Sequence, residues 1–437
     1  MKFEINRIRS VLACALALAM VCLIATSLNS PATAASDASL TLTREGRLAV
    51  FDDAWQTIND RYYDSRFRGV DWMLQRSVFR SQAADAVNGR ELYAELRQLV
   101  GTLNDVHTRI YPPEEKFDWW NPRFISIGLT VREISGFPTV VRVEKGSVPD
   151  KVGIRPGDVI EQIDGVSALS LIGSRLNDRQ ALLIRPASRL RVFASIFEGP
   201  LQTFVDLRWR TRKGVLREGR FERQWYGRQL GVRFRHERGR YIVAEIDAFT
   251  PTIALNFTRQ LNNKLRGVRG VIIDLRGNGG GEAEAMADVA SSFLGGGVDL
   301  GTFTDRWGLT FNIRTRDRSL LAPEIIKRTD LPLVVLVSER TSSAAEIFAS
   351  AMRDSKRGLI VGTETCGCVL AIRSQHKLPD GGVLDVSELD FRTGTGLRLE
   401  ENGVTPDEIV MAERDDLYKR RDRALEAALD YFAKAPH

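Results

Sequence analysis

The chain has 437 residues, a formal net charge of +6, 43% hydrophobic residues and 27% charged ones. That length exceeds what one ordinary hydrophobic core organises, so two or three domains are expected, and the balance excludes a disordered or wholly membrane-embedded protein. Lysines and arginines alternate with acids instead of forming a basic tract interleaved with aromatics, so no nucleic-acid partner is implied, while association with an anionic membrane surface stays open.

The N-terminus reads as a secretion signal. Lys2, Arg7 and Arg9 precede an almost unbroken apolar run over 11–28, and small residues follow at Ala32 and Ala34. This pattern predicts cleavage, with residues 1–35 as the signal peptide; the alternative is a retained anchor, because the run is just long enough to span a bilayer. Either way the remainder is expected outside the cytoplasm, secreted, periplasmic or in the cell envelope. Cleavage removes Cys14 and Cys22 and leaves Cys366 and Cys368. A disulfide across one intervening residue is expected to be strained, so none is predicted, and Cys368 reads as a small core residue. No Cys or His cluster has metal-ligand spacing, so no metal or cofactor is expected.

Residues 36–113 read as helical, with Leu48, Phe51, Trp55 and Ile58, then Leu92, Leu96 and Leu99, recurring at three and four residues until Tyr111-Pro112-Pro113. Residues 114–225 read as strands and turns. Ile125, Ile127, Leu129 and Val131 alternate, Pro156-Gly157-Asp158 makes a tight turn, and Asp164-Gly165 makes a hairpin turn. The stretch 152–165 resembles a PDZ domain, and the resemblance implies a peptide groove at Ile127, Gly128 and Leu129. Residues 226–437 alternate buried-type strands (Tyr241–Ile246, 270–275, Leu333–Val337) with helices (282–294, 344–352), which predicts an α/β core with a largely parallel sheet.

Three segments carry chemistry. Val334-Val335-Leu336-Val337 runs through Ser338-Glu339-Arg340-Thr341-Ser342-Ser343 into Ala344-Ala345-Glu346, so a strand feeds a turn that opens a helix. A serine there exposes its hydroxyl where helix amides favour developing negative charge, although Ser342 or Ser343 also fits as a plain helix cap. Asp274-Leu275-Arg276-Gly277-Asn278-Gly279-Gly280-Gly281 is a second strand-to-turn segment, whose glycines let amides approach a substrate carbonyl; it lacks the pattern of a phosphate loop. Leu103-Asn104-Asp105-Val106-His107-Thr108 holds one of only four histidines.

Together with Tyr62-Tyr63-Asp64, Val361-Gly362, Thr365-x-Gly367 and Gly403-Val404-x-Pro406-Asp407, these segments resemble the C-terminal processing and tricorn-core serine peptidase family over about residues 51–407. The resemblance implies a crotonase-like α/β catalytic core, an inserted PDZ-like β-domain and a helical N-terminal region. It implies Ser343 as nucleophile, and a polypeptide substrate engaged by its C-terminal end.

One departure matters. The processing-protease branch pairs its serine with a lysine in Thr-Phe-Gly-Lys-Gly, whereas this chain reads Thr365-Cys366-Gly367-Cys368-Val369, so that dyad is absent. The tricorn-like branch uses a histidine base, and His107 stands at that place, with Glu400 or Glu401 in the region of the orienting glutamate; the distance to Gly403 favours Glu400. An imidazole with a pKa near ~6.5 accepts the serine proton at neutral pH without the burial a lysine would need. The oxyanion is assigned to backbone amides of Gly280 or Gly281 and of Ala344. The rival readings are a non-catalytic relative that binds peptides or apolar ligands, as interphotoreceptor retinoid-binding protein does, and a crotonase-type acyl-CoA enzyme.

Overall fold

The computed structural model describes residues 38–115, 122–177, 186–319 and 325–434. The expected signal segment, 1–35, lies outside them. Among the described residues no helix is long and apolar enough to cross a membrane.

The N-terminal layer is three helices, Arg44–Arg61, Trp72–Asp85 and Gly89–Gly101. Each begins where a side-chain oxygen takes an otherwise orphaned amide: Thr43 from Gly46, Asp71 from Leu74 and Asn88 from Glu91, at 2.9–3.1 Å. Phe51, Trp55, Ile58, Leu92, Leu96 and Leu99 are buried together. This core is not closed by its own segment. Leu378, Leu384 and Val386 pack into it, and strand Arg109–Tyr111 pairs antiparallel with strand Val383–Asp385. A much later segment of the chain therefore completes the layer that precedes His107.

Residues 129–222 form an antiparallel sheet with the order Leu129–Ile134, Phe137–Val143, Val159–Ile163, Phe204–Arg210, Leu216–Glu222. Asp164 and Gly165 both have positive φ (50° and 79°) and join Ile163 to Val166, as a two-residue hairpin turn requires. The alternation expected from Ile125 to Val131 is broken at Gly128, φ 84°, into two strands. Leu129–Ile134 is an edge strand, and helix Pro186–Ala194 packs against it.

The largest unit is a six-stranded sheet in the order Val232–Glu237, Tyr241–Ile246, Gly270–Asp274, Leu333–Val337, Leu359–Gly362, Glu408–Ile409, parallel except for the first pair. Its two central strands are buried at every residue, which is why they read as continuous apolar runs. Helices Pro251–Lys264, Ala283–Leu294 and Ala344–Asp354 cover one face, and Arg423–Lys434 covers the other through Ala428, Leu429 and Phe432. A four-stranded antiparallel sheet, built on Asp299–Asp305 and Ser387–Thr393, packs alongside and was not expected from the sequence.

Candidate active site

Asp274 pairs with Leu336 on neighbouring parallel strands, so the turns that follow both strands emerge side by side at their carboxyl ends. The turns are stitched together. Thr341 Oγ1 donates to the Leu275 carbonyl at 2.9 Å, Ser338 Oγ to the Arg276 carbonyl at 2.7 Å, and the Ser342 amide to the Asn278 carbonyl at 3.2 Å. Ser343 closes the second turn as the residue before helix Ala344–Asp354, with φ 56° and ψ −127°. Gly280 lies directly against it: a Cβ on Gly280 would sit 2.6 Å from Ser343 Cβ and 3.1 Å from its Oγ.

The amides divide by what they already bind. Gly280 N–H donates to Asn278 Oδ1 at 2.8 Å, and Asn278 is itself fully buried and donates to the Ile246 carbonyl. Of the two glycines the sequence left open, Gly280 is therefore the one whose amide is engaged. The Gly281 and Ala344 amides have no acceptor among the described residues. Gly281 itself is pinned by Phe249, whose carbonyl oxygen would lie 2.2 Å from an added Cβ.

Glu346, one helical turn on, is a residue the sequence reading left without a role. Its Oε2 accepts the Ser343 amide at 3.1 Å and the Cys368 amide at 2.9 Å; its Oε1 accepts the Gly367 amide at 2.7 Å and Thr365 Oγ1 at 2.5 Å. The Ser-x-x-Glu spacing that opens a helix was the available signal. Burial pushes the Glu346 carboxyl up to about 7 despite these donors. The Ser343 amide also donates to the Cys368 carbonyl at 2.8 Å.

The expectation of two separate cysteines fails: Cys366 and Cys368 form a disulfide, with both residues buried. The physical reason is Gly367, whose φ of 67° folds the chain back and leaves the two Cα atoms 5.2 Å apart, within the bridging range.

Glu400 is buried and accepts the Val369 amide at 2.8 Å and the Leu370 amide at 3.3 Å, with Arg68 Nη1 3.5 Å away. Burial, with nearby Asp105 and Glu346, pushes it up to about 7. Glu401 is half-buried and pairs with Arg68. Glu400 is the residue enclosed at the site, and Glu401 flanks it.

Val106 lines a narrow cleft with Cys366, Gly367, Cys368 and Glu400, so the Asp105–His107 segment reaches the same place. Asp105 Oδ1 accepts the His107 amide at 2.8 Å, and Arg191 donates to the Asp105 carbonyl at 2.9 Å. His107 Nδ1 is shielded from solvent, and among the described residues it has no hydrogen-bond partner and no hydrogen bond joins His107 to Ser343 or to Glu400. Burial pushes the imidazole down to about 4, helped by Arg109 and Arg191 and opposed by Asp105. The unperturbed value near ~6.5 expected for this base does not hold in this surrounding. Arg68, Asn104, Arg191 and Glu401 also border a larger cavity of about 1630 Å³ on the helical side.

At the residues expected to form a peptide groove, Ile127 and Leu129 are buried. The Gly128 amide lies 3.3 Å from Ser126 Oγ, and its carbonyl accepts the Glu144 amide. Arg132 on the edge strand pairs with Glu339 in the turn before Ser343, and Arg189 of helix Pro186–Ala194 pairs with Glu133 of that edge strand. Among the described residues no group of His, Cys, Asp or Glu is arranged to hold a metal ion.

A serine raised at a strand-to-helix turn within a mixed α/β fold is the arrangement of a serine-type peptidase, and the chain belongs to peptidase family S41. That family's model matches residues 244–410, and the model of the tricorn protease C1 domain matches residues 44–101. The chain is 30% identical over 399 residues to the chloroplastic carboxyl-terminal-processing peptidase 2 of Arabidopsis thaliana, spanning 86% of this chain and 71% of the relative. It is 27% identical to the carboxyl-terminal-processing protease of Synechocystis sp., over 90% and 88% of the two chains. The solved photosystem II D1 C-terminal processing protease superposes with a TM-score of 0.54 at 24% identity, over 84% of this chain and 94% of that one. Mature CPAF superposes with a TM-score of 0.64 at 14% identity, over 90% and 97%. The protein is a serine-type peptidase acting on polypeptides, and the non-catalytic reading is not favoured.

Proposed function

We propose that the protein is a carboxyl-terminal processing peptidase of the cell envelope, with Ser343 as nucleophile, His107 as general base and Glu400 as the carboxylate that orients the site. The observation that carries this reading is Ser343 itself, held at positive φ at the end of the second turn with its amide fixed by Glu346 and Cys368. His107 takes the hydroxyl proton as Ser343 Oγ attacks the scissile carbonyl. The Gly281 and Ala344 amides receive the oxyanion, because neither donates to an acceptor among the described residues and one heads the Ala344–Asp354 helix. The imidazolium returns its proton to the leaving amine, and water then releases the acyl group by the reverse route. Since His107 and Ser343 are not hydrogen-bonded, substrate binding closes that gap.

Within this reading, 226–437 is a crotonase-like core, 114–225 an inserted PDZ-like domain, 36–113 the helical region and 1–35 a cleaved export signal. The substrate's C-terminal end adds as a strand at Leu129–Ile134, with Ile127, Gly128 and Leu129 at its carboxylate; the edge position of that strand and the helix beside it support this. Peptides of one sequence with a free or an amidated C-terminus test it. Cleavage of the free acid with a markedly higher KM for the amide is expected, and both should be uncut by Ser343→Ala. Equal KM values would remove end recognition, and cleavage by Ser343→Ala would remove the nucleophile.

A further inference from the structure

Where the Ser-Lys branch of the family is expected to carry its lysine, this chain carries a closed three-residue ring, Cys366-Gly367-Cys368. Three of the ring's backbone groups hold Ser343 and Glu346. The Cys368 carbonyl accepts the Ser343 amide, and the Gly367 and Cys368 amides both donate to Glu346. The Cys366 amide donates to Thr341 at 3.0 Å, and the Gly367 carbonyl accepts from Glu401 at 2.8 Å. The ring's exit, Val369-Leu370, supplies the two amides that hold Glu400.

We infer that the Cys366–Cys368 disulfide is a positioning element of the catalytic centre, and that turnover requires the pair to be oxidised. The inference rests on Ser343 as nucleophile. The cross-link removes backbone freedom from three residues that together fix the nucleophile's amide, the buried Glu346 and the approach to Glu400. Opening the ring returns that freedom. Glu346 then loses donors that its buried carboxylate needs, and Ser343 is no longer held from two sides. Reduction is a two-electron exchange with an external dithiol. Its thiolate attacks one cysteine sulfur and forms a mixed disulfide, and its second thiol displaces that sulfur. The dithiol leaves as a cyclic disulfide, and its two electrons and two protons end on Cys366 and Cys368 as thiols. Both sulfurs belong to buried residues beside the cleft lined by Arg68 and Glu400, so reagent access is through that cleft.

The experiment uses the purified full chain, assayed before and after dithiothreitol, with alkylation and peptide mass spectrometry reading the state of both cysteines. The oxidised enzyme should show Cys366 and Cys368 blocked and should label at Ser343 with a fluorophosphonate. On reduction kcat should fall about 100-fold, the scale expected for ångström-level misplacement of a reacting group. KM and the far-ultraviolet circular dichroism should stay unchanged, and reoxidation should restore kcat. The Cys366→Ser/Cys368→Ser double variant should match the reduced enzyme and ignore dithiothreitol; if it fails to fold, the reduced wild type still decides. Unchanged kcat after verified reduction, or free thiols at both positions in the active enzyme, would overturn the inference. Activity lost together with native circular dichroism would overturn it too, by assigning the bond to folding. An oxidised enzyme that turns over substrate without labelling at Ser343 would instead sink the nucleophile assignment.

Discussion

At Ser343 the backbone adopts a conformation that costs a non-glycine residue of order 1–3 kcal/mol and persists only where its surroundings impose it. Here they do so through the press of Gly280 and through Glu346 and Cys368, which bind the backbone amide of Ser343 and leave its hydroxyl aside. Ser343→Ala should therefore abolish activity and leave the melting temperature nearly unchanged, while Ser342→Ala keeps activity; a dead Ser342→Ala enzyme would shift the assignment by one residue. The pH profile follows from the buried groups. His107 is neutral above about 4, so it does not set a limb near neutrality. Glu346 and Glu400 ionise at about 7, and the anionic Glu346 is the form that four donors require. Activity should rise as pH climbs through about 7, with a midpoint that belongs to the two interacting carboxyls. His107→Gln should lower the whole profile by roughly 100- to 10,000-fold without moving that midpoint. A midpoint that disappears in His107→Gln would return the limb to histidine. The shifted pKa values were not legible in the sequence: the motifs point to His107 and Glu400 as candidates, but a pKa depends on burial, and burial here is made by segments hundreds of residues apart.

The turn after Asp274 carries two glycines, Gly280 and Gly281, at which an added Cβ would meet a neighbour well inside van der Waals contact. Gly280→Ala should suppress kcat, because the new methyl meets Ser343 at a φ of 101° that L-residues avoid. Gly281→Ala meets the Phe249 carbonyl instead and should also destabilise the fold by about 1–3 kcal/mol, measured by denaturant titration. An alanine at either site with wild-type activity and stability would contradict the described turns. The strands and helices around these turns were legible because their signals are local: fully buried parallel strands read as apolar runs, and Leu333–Val337 was located to the residue. The Asp299–Asp305 and Ser387–Thr393 pairing was not legible, since its register joins residues far apart in the chain and leaves no periodic mark that names its partner. The disulfide was missed for a related reason. Residue spacing alone suggested strain, and only the left-handed turn at Gly367 brings the cysteines into range.

On the scale of the molecule, His107 owes its place to a long-range closure. The strand two residues beyond it pairs with Val383–Asp385, and Leu384 is fully buried in the N-terminal core. Leu384→Ala should cost about 2–5 kcal/mol and lower kcat at temperatures where the protein remains folded, because the layer carrying His107 loosens against the core. A destabilised variant of unchanged kcat would show that the base is positioned independently of that layer. The roles of Ser343 and His107 are tested most sharply by the rate at which a fluorophosphonate labels the purified protein, with the modified residue located by peptide mass spectrometry. A single adduct on Ser343 is expected, formed roughly 100-fold or more slowly in His107→Gln and absent in Ser343→Ala. An adduct elsewhere, no adduct in an enzyme that cleaves peptides, or equal rates with and without His107 would contradict those roles.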